Sequence, residues 1–322
     1  MKLSILVPVY KVEAYIEKCA RSLFEQTYKD IEYIFIDDCS PDGSFAVLER
    51  VLKDYPERKT QVRIVKHTKN SGLVRARKTG LEAATGELIT HCDSDDWVDK
   101  DMYEKMVAKF MNPEVDMVFA PMVRNDDEPV KGMWNLEFAG SAADYYKLAD
   151  KIIAFNSNVN KVYRREVAVR SDIEVPDHIR MAEDMCRTMQ TVAHCRRVES
   201  ITGSFYHYRE NPASMSRKFD ARAALDNLAD VYKVIAGHTD VNLVRPLRVQ
   251  AARNIAFYGL KLGVFDEAEF RYWWNEMLSL DSKGWGKPLH PKRRLFLQIA
   301  GFNFALGRLM VKFLPNNPVD AF

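Results

Sequence analysis

The sequence predicts an α/β fold: a doubly wound, mostly parallel sheet with helices on both faces, followed by a helical C-terminal region. Three observations predict it. Over the first 120 residues, short apolar runs rich in β-branched residues alternate with stretches of helical spacing. The connections between them are short and carry turn residues, as in Asn70-Ser71-Gly72 and Gly86. After Asp220 only helical periodicity remains. Strands that alternate with helices of this length form parallel sheets covered on both sides.

The elements follow in order. Leu3 to Val9 reads as a buried strand, and Ala14 to Gln26 as a helix with Tyr15, Cys19, Leu23 and Phe24 on one face. Strands are expected at Glu32 to Asp37, Val62 to His67, Glu87 to Cys92 and Asp116 to Ala120. The intervening helices are Phe45 to Tyr55, Leu73 to Ala84 and Asp101 to Phe110. Pro121 to Gly140 is irregular. Helices are then expected near Ala142 to Lys151 and Glu183 to Ala193, with strand-like pieces at Arg197 to Thr202 and Phe205 to Arg209. A two-part organisation is expected: residues 1–219 as the ligand-binding domain and 220–322 as the helical region.

Composition narrows the function classes. The 322 residues are 47% hydrophobic and 29% charged, which excludes a disordered or collagen-like chain. Lys and Arg number 47 against 45 Asp and Glu, so nothing calls for bulk nucleic-acid binding. Residues 241–322 carry 12 basic and 6 acidic residues, a net of +6, leaving −4 for the remainder. The cysteines (Cys19, Cys39, Cys92, Cys186, Cys195) are odd in number and show no C-x-x-C spacing, as expected of reduced thiols in the cytoplasm. The apolar run at the N-terminus is broken by Pro8 and has no small-residue cleavage site, unlike a signal peptide. No run of 18 uncharged apolar residues suggests a membrane span.

In such a sheet, ligands bind beyond the carboxyl ends of the strands. The first expected strand runs into Pro8-Val9-Tyr10, the second into Asp37-Asp38, and the fourth into Asp93-Ser94-Asp95-Asp96-Trp97. Acidic groups distant in sequence therefore meet at one rim. Asp93 and Asp95, two apart at a strand end, suit a hard divalent cation such as Mg2+ or Mn2+, whose other ligands come from phosphate and water. Asp38, Ser40, Asp42, Gly43 and Glu49 also fit a calcium-loop spacing, but the β-branched stretch before them excludes the required helix.

Seven motifs in order make the sequence resemble the family 2 glycosyltransferases, inverting enzymes of the GT-A fold. They are SILVPVY (Ser4 to Tyr10), IDDCSPDGS (Ile36 to Ser44), NSGLVRARKTG (Asn70 to Gly80), DSDDW (Asp93 to Trp97), NKVYRRE (Asn160 to Glu166), the pair Glu183-Asp184, and FYHYRENPASMS (Phe205 to Ser216). The resemblance implies that Pro8 and Tyr10 form a shelf for the nucleotide base and that Asp38 accepts a base N–H. Arg77 would lie beside the ribose and diphosphate. Asp93 would touch ribose and metal-bound water, Asp95 would hold the metal, and Ser94 falls in the same donor-binding motif. Asp184, with Glu183 beside it, matches the general base. Lys161 and His207 are further candidates, although a strand histidine between Tyr206 and Tyr208 also suits simple packing. Cys39 stands where the family usually has Gly, and Lys78 where it usually has Asn.

The implied partners are a nucleotide-sugar donor, with UDP favoured by Asp38, and a glycan or lipid-linked oligosaccharide acceptor. The implied setting is bacterial cell-surface polysaccharide synthesis in the cytoplasm. Residues 292–314 read as a basic amphipathic helix with Leu295, Ile299, Phe302, Leu306, Leu309 and Phe313 in one stripe. Such a helix can lie on the inner leaflet of a membrane, or pack on the body or on a second subunit. Other functions fit less well. A nucleotidyltransferase needs a Gly-rich loop after the first strand, which Pro8-Val9-Tyr10-Lys11-Val12 lacks. A D-x-D phosphatase places that motif after the first strand, not the fourth. An inactive glycan-binding subunit of the same fold is the remaining alternative.

Overall fold

A computed structural model of the chain describes all residues except 126–127, 131–132, 134, 150–155, 173–174, 177, 180–181, 211–219, 282–290 and 312–322. The chain divides into two compact units. The first comprises Met1–Tyr145, Ala154–Glu174 and Arg187–Pro212, and the second Tyr146–Ile153, Val175–Cys186 and Ala213–Phe322. The second unit thus draws on two earlier segments as well as on the helical region.

The first unit is built on strands β1 (Leu3–Val9), β2 (Ile31–Asp37), β3 (Val62–Lys66) and β4 (Leu88–His91). Between them lie α1 (Ile16–Phe24), α2 (Ser44–Leu52), a 3₁₀ turn at Pro56–Gln61, and α3 (Leu73–Ala83). All seven β1 residues are buried, as a run without polar alternation requires of a strand covered on both faces. Pro8 lies two residues past the last β1–β4 pair, Leu6 with His91, where β1 has lost one strand neighbour. A missing N–H is tolerated there. α1 turns Ile16, Cys19, Ala20, Leu23 and Phe24 inward. Gly72 precedes α3, and its φ of +85° suits glycine and lets the chain enter the helix.

The chain continues through β5 (Trp97–Val98), α4 (Met102–Lys109), β6 (Val115–Phe119), β7 (Met122–Arg124), β8 (Glu128–Pro129) and β9 (Ala139–Gly140). After α5 (Ala142–Ala149) come β10 (Lys161–Arg164), α6 (Arg165–Arg170), α7 (Glu183–Ala193), β11 (Arg197–Ser200) and β12 (Tyr206–Tyr208). The eight-stranded sheet has the order β3-β2-β1-β4-β10-β6-β11-β9. β10 is antiparallel to both of its neighbours, β4 and β6, and β9 is antiparallel to β11; the other pairs are parallel. A second sheet has the order β5-β12-β7-β8. The strand expected over 32–37 is present from Ile31, so no helix precedes the Asp38 loop. Asp42 instead accepts hydrogen bonds from Ser40 Oγ, Ser44 Oγ and the Glu13 N–H.

The second unit is helical: α8 (Ala221–His238), α9 (Val241–Leu262), α10 (Glu267–Leu280), α11 (Pro291–Phe302) and α12 (Phe304–Val311). Its core gathers Leu225, Ile255, Phe257, Phe270, Met277 and Leu297. α10 opens on a reciprocal capping box between Asp266 and Glu269. The single helix expected over 292–314 is in fact two. The helix parts at Asn303, whose side-chain oxygen accepts the Leu306 N–H and caps α12. Gly307 then lies against Ala300, where an added Cβ would come within 2.3 Å of the Ala300 Cβ. Phe313, the last residue of the expected stripe, lies outside the described residues. No helix among the described residues is long and apolar enough to cross a membrane.

Candidate active site

The parallel strands β1, β2 and β4 end on one rim, and each is followed by a residue that the sequence singled out. Tyr10 follows β1 and is exposed, Asp38 follows β2, and the Asp93-Ser94-Asp95-Asp96 turn follows β4.

Asp38 is buried, and its carboxylate accepts three hydrogen bonds. The Ser71 N–H (2.7 Å) and His67 Nδ1 (2.8 Å) meet Oδ1, and the Gly72 N–H (2.8 Å) meets Oδ2. Two of these donors are backbone groups at the start of α3, where orphan N–H groups favour an anion. His67 follows β3, and its other ring nitrogen meets Thr79 Oγ1 of α3 at 2.9 Å. The carboxylate is thereby fixed by the residue that follows β3 and by the two residues that lead into α3.

Arg77, only 1% exposed, reaches from α3 to Asp93, with Nη2 2.9 Å from Oδ1. The acidic turn is tied down from the second sheet. Tyr206, fully buried in β12, accepts the Asp93 N–H at 3.1 Å and donates to Asp96 Oδ2 at 2.7 Å. Arg209 donates its backbone N–H to Asp96 Oδ1 at 2.8 Å and its Nε to the Asp95 carbonyl at 2.9 Å. Two cations lie near the Trp97 ring, with Lys18 Nζ 3.3 Å and the Arg209 guanidinium 4.9 Å from the ring centre. Asp96 is thus the anchor of the turn, while Asp93 and Asp95 are only partly covered. Ser94, inside the turn, is buried.

The electrostatics of the turn follow from this packing. Burial, and then the charge of Asp93, pushes the Asp95 carboxyl up to about 6. Burial, and then Asp93 and Asp95, pushes Asp96 well above the usual carboxylate range. Three carboxylates held this close repel one another. Their oxygens are hard donors, so the chemistry of the set fits a divalent cation. Among the described residues, no group of three His, Cys, Asp or Glu side chains closes a metal cage. A cation here would therefore take its remaining ligands from phosphate and water.

Glu183 and Asp184 open α7 and belong to the second unit, whereas Tyr10, Asp38, Arg77 and the acidic turn belong to the first. Glu183 is buried and Asp184 partly so. Ala182, immediately before them, has φ of +59°. Lys11, after Tyr10, and Cys39, after Asp38, are also left-handed, at +55° and +58°. Such backbone costs about 1 kcal/mol or more in a non-glycine residue, and strain of this kind gathers at functional sites. Cys39 adopts the conformation that a glycine would take without cost.

Two candidates are engaged elsewhere. Lys161 is fully buried and donates to the Ser157 carbonyl and to Asn160 Oδ1. His207 stacks on Trp97 with ring centres 5.1 Å apart, and its nitrogens meet Asp99 Oδ1 and the Asn125 carbonyl. His91 is buried in β4. Burial, and then the charges of Arg77 and Arg187, holds its pKa well below the ordinary histidine value. Sequence reasoning missed His67, Tyr206 and the anchoring role of Asp96. Their partners are 29 and 110 residues away, so no local pattern announces them.

The sheet with this rim has the GT-A architecture, and the sequence agrees with the family that the motifs suggested. The profile described as Glycosyl transferase family 2 matches residues 4–170, just over half of the chain. The chain belongs to that family. It is 31% identical over 219 residues to the uncharacterized glycosyltransferase EpsJ of Bacillus subtilis, covering 66% of this chain and 62% of that protein. It is 26% identical over 210 residues to the poly(ribitol-phosphate) beta-N-acetylglucosaminyltransferase TarS of Staphylococcus aureus, covering 65% of this chain and 35% of TarS. The fold also matches the crystal structure of TarS 1-349 in complex with UDP-GlcNAc. The TM-score is 0.72 at 19% identity, over 97% of this chain and 90% of that one. The chain spans just under two thirds of EpsJ and about a third of full-length TarS.

Proposed function

We propose that the chain transfers a sugar from a nucleotide diphosphate sugar, of which a UDP-sugar fits best, to a hydroxyl group of a glycan or lipid-linked acceptor, with inversion at the anomeric carbon. The observation that carries this reading is the rim itself. A buried carboxylate held by three donors (Asp38) follows β2, and a carboxylate paired with Arg77 of α3 (Asp93) and a partly covered carboxylate (Asp95) follow β4, beside Tyr10 at the end of β1. Two structural neighbours support the donor and metal classes. TarS 1-349 was crystallised with UDP-GlcNAc, and the mannosyltransferase PcManGT from Pyrobaculum calidifontis, at TM-score 0.54 and 15% identity, with GDP-Man and Mn2+.

In this reading Pro8 and Tyr10 form the shelf under the base, and Asp38 Oδ2 accepts a base N–H. Asp95, with Asp93, would hold Mn2+ or Mg2+, which offsets the charge developing on the departing diphosphate. Arg77 fixes Asp93 toward the ribose. Asp184 removes the proton of the attacking hydroxyl, and Glu183 is the competing candidate for that step. A positioned base contributes roughly 10² to 10⁴ in rate. Attack opposite the leaving group gives inversion in one displacement.

The outward face of α11 and α12 supports peripheral contact with a cytoplasmic membrane surface. Leu295, Phe302, Leu306 and Leu309 are exposed beside Arg294 and Arg308, while Leu297, Ala300, Phe304 and Val311 are buried. Four residues of the expected stripe, Leu295, Phe302, Leu306 and Leu309, thus face outward, while Ile299 is half-buried.

Nucleotide release from UDP-sugars, with Mn2+ and an acceptor panel, tests the transfer. Asp184→Asn is expected to lower turnover about 10²-fold or more while UDP binding is retained. Full activity in Asp184→Asn with loss in Glu183→Gln would move the base to Glu183. Full activity in both would contradict the assignment.

A further inference from the structure

We infer that His67 is a positioning and specificity-determining residue. It holds Asp38 as an acceptor-only carboxylate, so that the donor site takes bases presenting an N–H and rejects those presenting a ring acceptor. This rests on the nucleotide-sugar reading given above and adds to it a residue outside the family motifs.

The geometry is a relay across three elements. His67 Nδ1 lies 2.8 Å from Asp38 Oδ1, and His67 Nε2 lies 2.9 Å from Thr79 Oγ1. The ring is 12% exposed and the Asp38 side chain 5%, so both hydrogen bonds are shielded from water. The other two groups on the carboxylate, the Ser71 and Gly72 N–H, can only donate. Thr79 can donate to Nε2, which leaves the ring proton on Nδ1, directed at Asp38. Asp38 thus meets three donors.

Oδ1 already accepts two hydrogen bonds and Oδ2 one, so Oδ2 has the capacity for one more. The group that fills it must donate. Uracil and thymine offer an imide N3–H in the paired edge, whereas cytosine offers N3 as an acceptor. A site whose buried polar group is left unpaired by the wrong ligand discriminates strongly. Without the His67 donor, the carboxylate is freer to rotate, and this discrimination should fade.

The test measures the dissociation constants of UDP and CDP by titration calorimetry with Mn2+ present. The proteins compared are the wild type, His67→Phe, His67→Asn and Thr79→Val, each checked for folding by its melting curve. The wild type is expected to prefer UDP over CDP by about tenfold or more. His67→Phe should weaken UDP about tenfold and bring the ratio toward unity. His67→Asn, whose amide nitrogen can stand near the Nδ1 position, should recover most of the preference. Thr79→Val, which leaves Asp38 and His67 in place, should lose part of it, and it serves as the probe if His67→Phe does not fold. A purely structural histidine would lower the melting temperature and leave the ratio unchanged. An unchanged UDP:CDP ratio in folded His67→Phe, or in Thr79→Val where His67→Phe does not fold, would overturn the inference. Failure of the wild type to bind UDP, dTDP or GDP would instead remove the donor reading on which it stands.

Discussion

Tyr206→Phe removes one oxygen atom from the strut between the two sheets. The hydroxyl accepts the Asp93 N–H at 3.1 Å and donates to Asp96 at 2.7 Å, inside a fully buried side chain. Its loss leaves the Asp93 N–H without the acceptor it has here, and Asp96 with the Arg209 N–H as its remaining partner shown. An orphaned buried donor costs about 1–3 kcal/mol, and a hydrogen bond to a charged group is worth a similar amount. A local loss of about 2 kcal/mol corresponds to roughly 30-fold easier opening of the turn, because about 1.4 kcal/mol is a factor of ten. Hydrogen–deuterium exchange of the peptide covering residues 92–98 reads this directly. Exchange there should accelerate by about that factor, while the helices of the second unit keep their protection. UDP binding in the presence of Mn2+ should weaken by about tenfold, because Asp93 and Asp95 ride on the same turn. Unchanged exchange at 92–98 together with unchanged nucleotide affinity would refute the reasoning that this strut sets the geometry of the turn.

Two further outcomes are expected. Glu32 is buried between Ser4, Thr85, Gly86 and Lys2. Burial alone would raise its pKa, but the hydrogen bonds from Ser4, the Thr85 backbone, Lys2 and the Thr85 hydroxyl hold it at about 2 against an ordinary 4.5. A depressed carboxylate stabilises the fold above its unfolded pKa, and that contribution fades as the pH falls from about 4.5 toward 2. Glu32→Gln should therefore cost about 3 kcal/mol at pH 7 and much less near pH 2.5, read from urea unfolding at both pH values; a gap that does not narrow would contradict it. Phe302→Ser combined with Leu306→Ser should reduce co-sedimentation with anionic phosphatidylglycerol vesicles by about tenfold while leaving UDP binding intact. Equal sedimentation of wild type and variant would remove the membrane-contact proposal.

The parts of the fold legible in the sequence are those set by local periodicity. β1, β2 and the helices α1 to α4 lie within a few residues of their expected bounds because each buries a continuous run or a single stripe. β10 was not legible as a sheet member. Lys161 to Arg164 is four residues long, and its antiparallel place between β4 and β6 is decided by tertiary pairing. The same holds for β5, β7 and β8, each of three residues or fewer. The break at Asn303 escaped notice because the apolar stripe runs through it without interruption, while the cap is one side-chain oxygen. In the site, the carboxylates were visible because Asp38, Asp93 and Asp95 sit at strand ends in short motifs. What holds them was not visible, because the Asp38–His67 and Asp96–Tyr206 pairs bring together residues far apart in the chain.

The central claim is nucleotide-sugar binding at the acidic rim. The most direct measurement is the melting temperature of the wild type and of Asp95→Ala with UDP, GDP and dTDP sugars, each with and without Mn2+. A ligand at 100 times its dissociation constant adds about 2.7 kcal/mol, a readily visible shift. The account predicts a Mn2+-dependent rise with a UDP-sugar in the wild type and none in Asp95→Ala. No rise with any nucleotide, or an equal rise in Asp95→Ala, would contradict it.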